Sequence, residues 1–100
     1  MDLFYNKFYR ALASRKEETA IFNLLLETAK EERLRGQRIL NFLKNNIKLK
    51  KGLVFDLGAG TGGVLSIFKD AGFETFGVDL NANYLKFGIE QGLNLKKGFL

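Results

Sequence analysis

Apolar positions recur at three- and four-residue spacing through the first half of the chain, then give way to a short unbroken apolar run near residue 53. Residues 2–12 form a short amphipathic segment with Leu3, Phe4, Tyr5, Phe8, Tyr9 and Leu12 close together. Ser14-Arg15-Lys16-Glu17 has the hydroxyl and, three residues on, the carboxylate of a capping box. The helix it opens carries Ala20, Ile21, Leu24, Leu25 and Thr28 on one face. A bend or break is expected near Gly36, followed by a helical stretch with Ile39, Leu40, Phe42, Leu43 and Ile47 inward. Lys48-Leu49-Lys50-Lys51-Gly52 is the loop that leads out of it.

From there the pattern alternates. Leu53-Val54-Phe55-Asp56-Leu57 has the length of a buried strand. Val64, Leu65, Ile67, Phe68 and Ala71 then recur at helical spacing, closed by Gly72. Phe73-Glu74-Thr75-Phe76-Gly77-Val78-Asp79-Leu80 is a second β-prone run. A second crossover helix over residues 81–91 puts Tyr84, Leu85, Gly88 and Ile89 inward, with Gly92 as its stop. Leu93 to Gly98 begins a third strand or the loop beyond it. Strands alternating with helices predict an α/β fold, a Rossmann-like parallel sheet of two to three strands preceded by N-terminal helices. Residues 1–50 are the helical segment and residues 51–100 the partial nucleotide-binding unit.

The chemistry concentrates where the first strand ends, in Asp56-Leu57-Gly58-Ala59-Gly60-Thr61-Gly62-Gly63. Glycines let a backbone approach a ligand closely, and the following helix N-terminus offers unpaired N–H groups. Gly58, Gly60 and Gly62 fit Gly-x-Gly-x-Gly; Gly58, Gly60 and Gly63 fit the Gly-x-Gly-x-x-Gly of dinucleotide sites. Asp56 bears on the choice, because a carboxylate beside the turn repels a pyrophosphate and attracts an ammonium group. That favours a ligand with an amino-acid moiety, such as S-adenosylmethionine, over NAD. Asp79 lies about 20 residues past the turn, where nucleotide-binding units hold the acid that takes two ribose hydroxyls. Its alternative role is a helix N-cap, which Asn81 fills equally well.

Val54-Phe55-Asp56-Leu57-Gly58-Ala59-Gly60-Thr61-Gly62 followed by Phe76-Gly77-Val78-Asp79-Leu80-Asn81 resembles the first two cofactor motifs of the class I S-adenosylmethionine-dependent methyltransferases. The resemblance covers roughly residues 39 to 98. It implies that the turn formed by Gly58, Ala59, Gly60, Thr61 and Gly62 packs on the methionyl part of the cofactor. It implies further that Asp79 holds the ribose and that Leu80 lies against the adenine. The family has a seven-stranded sheet, so the strands beside residues 53–57 and the residues that follow them are expected to be missing from this chain. An acidic residue commonly follows a glycine near Gly98 in the family; here Phe99 follows. Tyr5 and Tyr9 are candidates for an N-terminal lid, as small-molecule methyltransferases of this type use one. No residue is nominated as a general base.

Composition narrows the rest. One hundred residues, 46% hydrophobic with ten phenylalanines, make one small globular domain at most. There is no apolar run long enough to span a membrane, and Met1-Asp2-Leu3-Phe4 does not open a signal peptide. The absence of cysteine and histidine argues against disulfides and transition-metal sites and fits a cytoplasmic protein. Residues 1–51 hold twelve Lys/Arg against six Asp/Glu, and the remainder four against five. A basic helical half can meet nucleic acid, but interleaved glutamates fit a solvated surface better. The reading is therefore the cofactor-binding half of a methyltransferase acting on a small molecule. Its alternatives are a non-catalytic S-adenosylmethionine- or nucleotide-binding module needing a partner chain, and an NAD-binding unit. An unpaired apolar first strand also predicts self-association or a partner chain that completes the sheet.

Overall fold

The computed structural model describes residues 15–98. A single long helix, α1 (Arg15–Asn46), is followed by β1 (Leu53–Leu57), α2 (Gly63–Asp70), β2 (Glu74–Asp79), α3 (Ala82–Glu90) and β3 (Leu95–Lys97). The three strands form one parallel sheet in the order β1-β2-β3. Leu53 pairs with Glu74 and Leu57 with Val78, while Gly77 pairs with Leu95 and Asp79 with Lys97. The α/β reading of the sequence therefore holds, with each strand and crossover helix where the pattern put it. The capping box at Ser14 and the aromatic segment with Tyr5 and Tyr9 lie outside the described residues.

All three helices serve one face of the sheet. One cluster of buried side chains joins Ala59, Leu65, Leu85, Leu93 and Leu95; a second joins Leu40, Ile67, Phe68 and Phe73. Val54 of β1 packs against both and links them into one core. Phe68 and Phe73 meet edge to face at 5.5 Å, a favoured aromatic geometry.

Three expectations are corrected. Helix α1 runs unbroken through Gly36. That glycine is buried, and an added Cβ would come within 2.9 Å of the Val64 Cα and 3.0 Å of the Val64 carbonyl oxygen. Its role is close helix crossing, with packing against α2 outweighing the roughly 1 kcal/mol helix penalty of glycine. The apolar face of α1 is also less buried than its periodicity suggests. Leu40 is buried, but Leu24, Ile39, Phe42 and Ile47 are exposed, because α1 meets the rest of the domain mainly along one stripe against α2. In α3, Leu85, Phe87 and Gly88 are buried and Ile89 is exposed. Phe87 turns toward Phe22 of α1, their ring centroids 6.0 Å apart.

Candidate functional site

The turn between β1 and α2 has an alternating conformation. Gly58, Gly60 and Gly62 have φ of 71°, 61° and 83°, values at which a side chain is strained. Gly63 does not share it: it begins α2 and lies against α1, where an added Cβ would come within 2.6 Å of the Ala29 carbonyl oxygen. The turn is thus Gly-x-Gly-x-Gly in conformation, and the fourth glycine belongs to helix packing.

Backbone bonds tie this turn to β2. The amides of Gly58 and Ala59 both donate to the Val78 carbonyl at 2.9 Å, and Gly62 N–H closes the turn on Ala59 O. Asp79, at the end of β2, accepts from Gly60 N–H on one oxygen and from Asn81 N–H on the other, both at 2.8 Å. Asn81 is the N-cap of α3, its side chain accepting from the amides of Asn83 and Tyr84. Asp79 is therefore not that cap. With two bonds accepted among about four acceptor positions, it retains acceptor capacity.

Asp56 and Asp79 stand at the carboxyl ends of adjacent parallel strands, on either side of the glycine turn. In open α/β sheets this end of the strands is where ligands bind. Asp56 is half-buried, and burial raises its pKa above the ordinary carboxylate value; Arg35 opposes the rise, whereas the Glu32 and Asp79 carboxylates add to it. Gly58 and Leu80 are exposed beside these acids. Ala59, Gly60, Thr61 and Gly62 are buried. Of the residues the sequence points to, Asp56, Gly58, Asp79 and Leu80 are exposed or half-buried at the carboxyl ends of β1 and β2, and the other four are buried in the turn between them.

One participant escaped sequence reasoning. Glu32, midway along α1, reaches into the turn, and its Oε1 accepts from Thr61 N–H and Gly63 N–H, each at 3.1 Å, and from the Thr61 hydroxyl. Thr61, 1% exposed, is satisfied by this contact. A Cβ added to Gly60 would overlap the other Glu32 oxygen. The open side of Gly60 is thus filled by α1. Helix α2 has no acidic residue in its first turn and no side-chain cap of its own, so Glu32 supplies the negative charge that complements its N-terminus. Nothing in the local spacing marks Glu32 among the acids of a charged helix. Nearby, Arg33 donates to Ser66 Oγ at 2.6 Å and pairs with Asp70 at 3.4 Å, pinning the same stretch of α1 to α2.

Among the described residues no group of acidic side chains is arranged to hold a metal ion, and no helix is long and apolar enough to cross a membrane.

No protein-family model and no curated protein matches the sequence. Solved structures do match. A SAM-dependent methyltransferase from Archaeoglobus fulgidus is 30% identical with a TM-score of 0.50, over 67% of this chain and 29% of that one. DesVI of Streptomyces venezuelae superposes with a TM-score of 0.58 at 21% identity, over 81% of this chain and 35% of that one. The glycopeptide N-methyltransferase MtfA, in complex with S-adenosyl-L-methionine, gives 0.50 at 18% identity, over 63% and 32%. The chain spans about a third of the length of these structures. Its fold is that of the N-terminal part of the class I S-adenosylmethionine-dependent methyltransferases.

Proposed function

We propose that this chain binds S-adenosylmethionine in the crevice at the carboxyl ends of β1 and β2, as the cofactor-binding part of a methyltransferase. The observation that carries the reading is the pair Asp56 and Asp79 flanking a turn whose three alternate glycines have positive φ. Asp79 suits the two ribose hydroxyls, because each of its oxygens keeps an acceptor position beyond the one that holds a backbone amide. Asp56, the turn backbone at Gly58 and the exposed Leu80 suit the methionyl ammonium, the methionyl chain and the adenine in that order. Ala59, Gly60, Thr61 and Gly62 contribute by holding the turn. The likeness to the A. fulgidus methyltransferase and to MtfA bound to the same cofactor supports this assignment.

When bound, the cofactor brings a methyl group on a sulfonium, which is intrinsically electrophilic. The work left to the protein is orientation of the acceptor and exclusion of competing water. The residues here bind and orient the cofactor; a small-molecule acceptor fits the lid reading of residues 1–50. Calorimetry on the full chain tests the proposal: S-adenosylhomocysteine should bind more tightly than NAD. Tighter binding of NAD would favour the dinucleotide reading and overturn this one.

A further inference from the structure

In phosphate-binding strand–glycine turn–helix corners, backbone amides of the turn and of the helix start point at the ligand phosphate. In this chain the amides of the turn itself, and the first amide of the helix at Gly63, are already engaged by the protein. Glu32 Oε1 accepts from Thr61 N–H, Gly63 N–H and the Thr61 hydroxyl, and its second oxygen fills the space that the absent Gly60 side chain leaves open. The carboxylate comes from a separate element, α1, brought into register by the close crossings of Gly36 on Val64 and of Gly63 on Ala29.

We infer that Glu32 is a specificity-determining residue. It acts as a built-in anion at the glycine turn, and it restricts the crevice to adenosine ligands whose 5′ substituent is uncharged or carries positive charge. Two effects act together. A diphosphate finds the turn's donors occupied, and it meets like charge from Glu32 in addition to Asp56 and Asp79. The charged neighbour of Asp56 that opposes this negative field is Arg35, which acts on Asp56 from α1. Arg33, the other arginine at this level, is occupied with Ser66 and Asp70. A sulfonium or ammonium group gains from the same surroundings that repel a phosphate. The bland alternative is that Glu32 is a brace that joins α1 to α2 and has no say in which ligand enters.

This inference rests on the crevice being an adenosine site. The experiment compares 5′-methylthioadenosine, neutral at the 5′ position, with ADP, using calorimetry at fixed ionic strength on the full chain. The wild-type protein should bind methylthioadenosine at least tenfold more tightly than ADP. In Glu32→Gln and Glu32→Ala, that preference should shrink by about tenfold or more through a gain in ADP affinity, with methylthioadenosine affinity held within about threefold. A brace alone would weaken both ligands together and leave their ratio unmoved. Comparable wild-type affinities for the two ligands would overturn the inference before any variant is made. Wild-type preference with an unchanged ratio in the folded variants would overturn it while sparing the adenosine site. Failure of the wild type to bind methylthioadenosine or S-adenosylhomocysteine at all would overturn both.

Discussion

The two faces of the three-stranded sheet carry similar side chains and have opposite surroundings. On the helix-covered face, Leu65 is 0% exposed and Leu95 5%, with Val54 joining both core clusters. On the other face, the alternate β1 residues Leu53, Phe55 and Leu57 are 66%, 46% and 51% exposed, with Phe55 stacked on Phe76 at 5.3 Å. Among the described residues β1 also pairs on one side only. The lesson concerns what hydrophobicity encodes. A strand that is apolar on both faces states how much of itself is suited to burial; it does not say what does the burying. The helix-covered face has the density of a core, and the open face has its composition alone.

The largest expected effect breaks the covered face. Leu65→Ala removes a fully buried side chain, which costs about 2–5 kcal/mol, a large share of the stability of a domain this size. Urea or thermal denaturation should show the variant largely unfolded near physiological temperature. A loss below 1 kcal/mol would mean that the two faces are equivalent.

Next in size is the crevice. Asp79→Ala should weaken S-adenosylhomocysteine binding by about 1–3 kcal/mol, since charge-assisted bonds are lost. Calorimetry gives the answer, and an unchanged affinity would reduce Asp79 to a tie between two turns.

A smaller effect sharpens the electrostatics. Burial raises the Asp56 pKa in the folded state, so its contribution to stability is present below the ordinary carboxyl value and is lost as pH rises through the raised one. Asp56→Asn should remove that slope and make the protein slightly more stable at neutral pH, while weakening cofactor binding. Denaturation midpoints measured across the acidic range, in parallel for both proteins, would expose a slope that persists in the variant.

The smallest change in stability belongs to the open face. Leu53→Lys alters an exposed position at the free edge, where substitutions fall within about 0.5 kcal/mol, yet a lysine there discourages edge-to-edge pairing. Sedimentation should show less self-association at unchanged stability. A stability loss comparable to that of Leu65→Ala would reveal that the face is covered in solution.

Much of this arrangement is legible in the sequence. Residues 53–57, the glycine turn and Asp79 could be read because each depends on neighbours in the chain: an apolar run, positive-φ positions and a fixed distance to the second strand end. Asn81 as the cap of α3 is local in the same way. What could not be read depends on contacts between distant elements. Gly36 reads as a helix interruption because spacing cannot distinguish a weak point from a crossing point. Glu32 is silent for the same reason, lying 29 residues before the Thr61 it serves. Its only trace is indirect: a buried threonine and a helix without an acidic first turn both need a partner from elsewhere.

Asp79 grips the amides of Gly60 and Asn81 at the same time, and this has a consequence for how a ligand is received. One carboxylate stitches the first βα turn to the second, so the two turns are joined before anything enters. On the proposed reading, a ribose that took the remaining acceptor positions would find these two turns already tied, and association would sacrifice less chain entropy. The two amide protons also become natural reporters. Withdrawal of electron density from Asp79 by an arriving hydroxyl pair would loosen both, and their paired shift in a proton–nitrogen spectrum would register occupancy of the crevice from the inside.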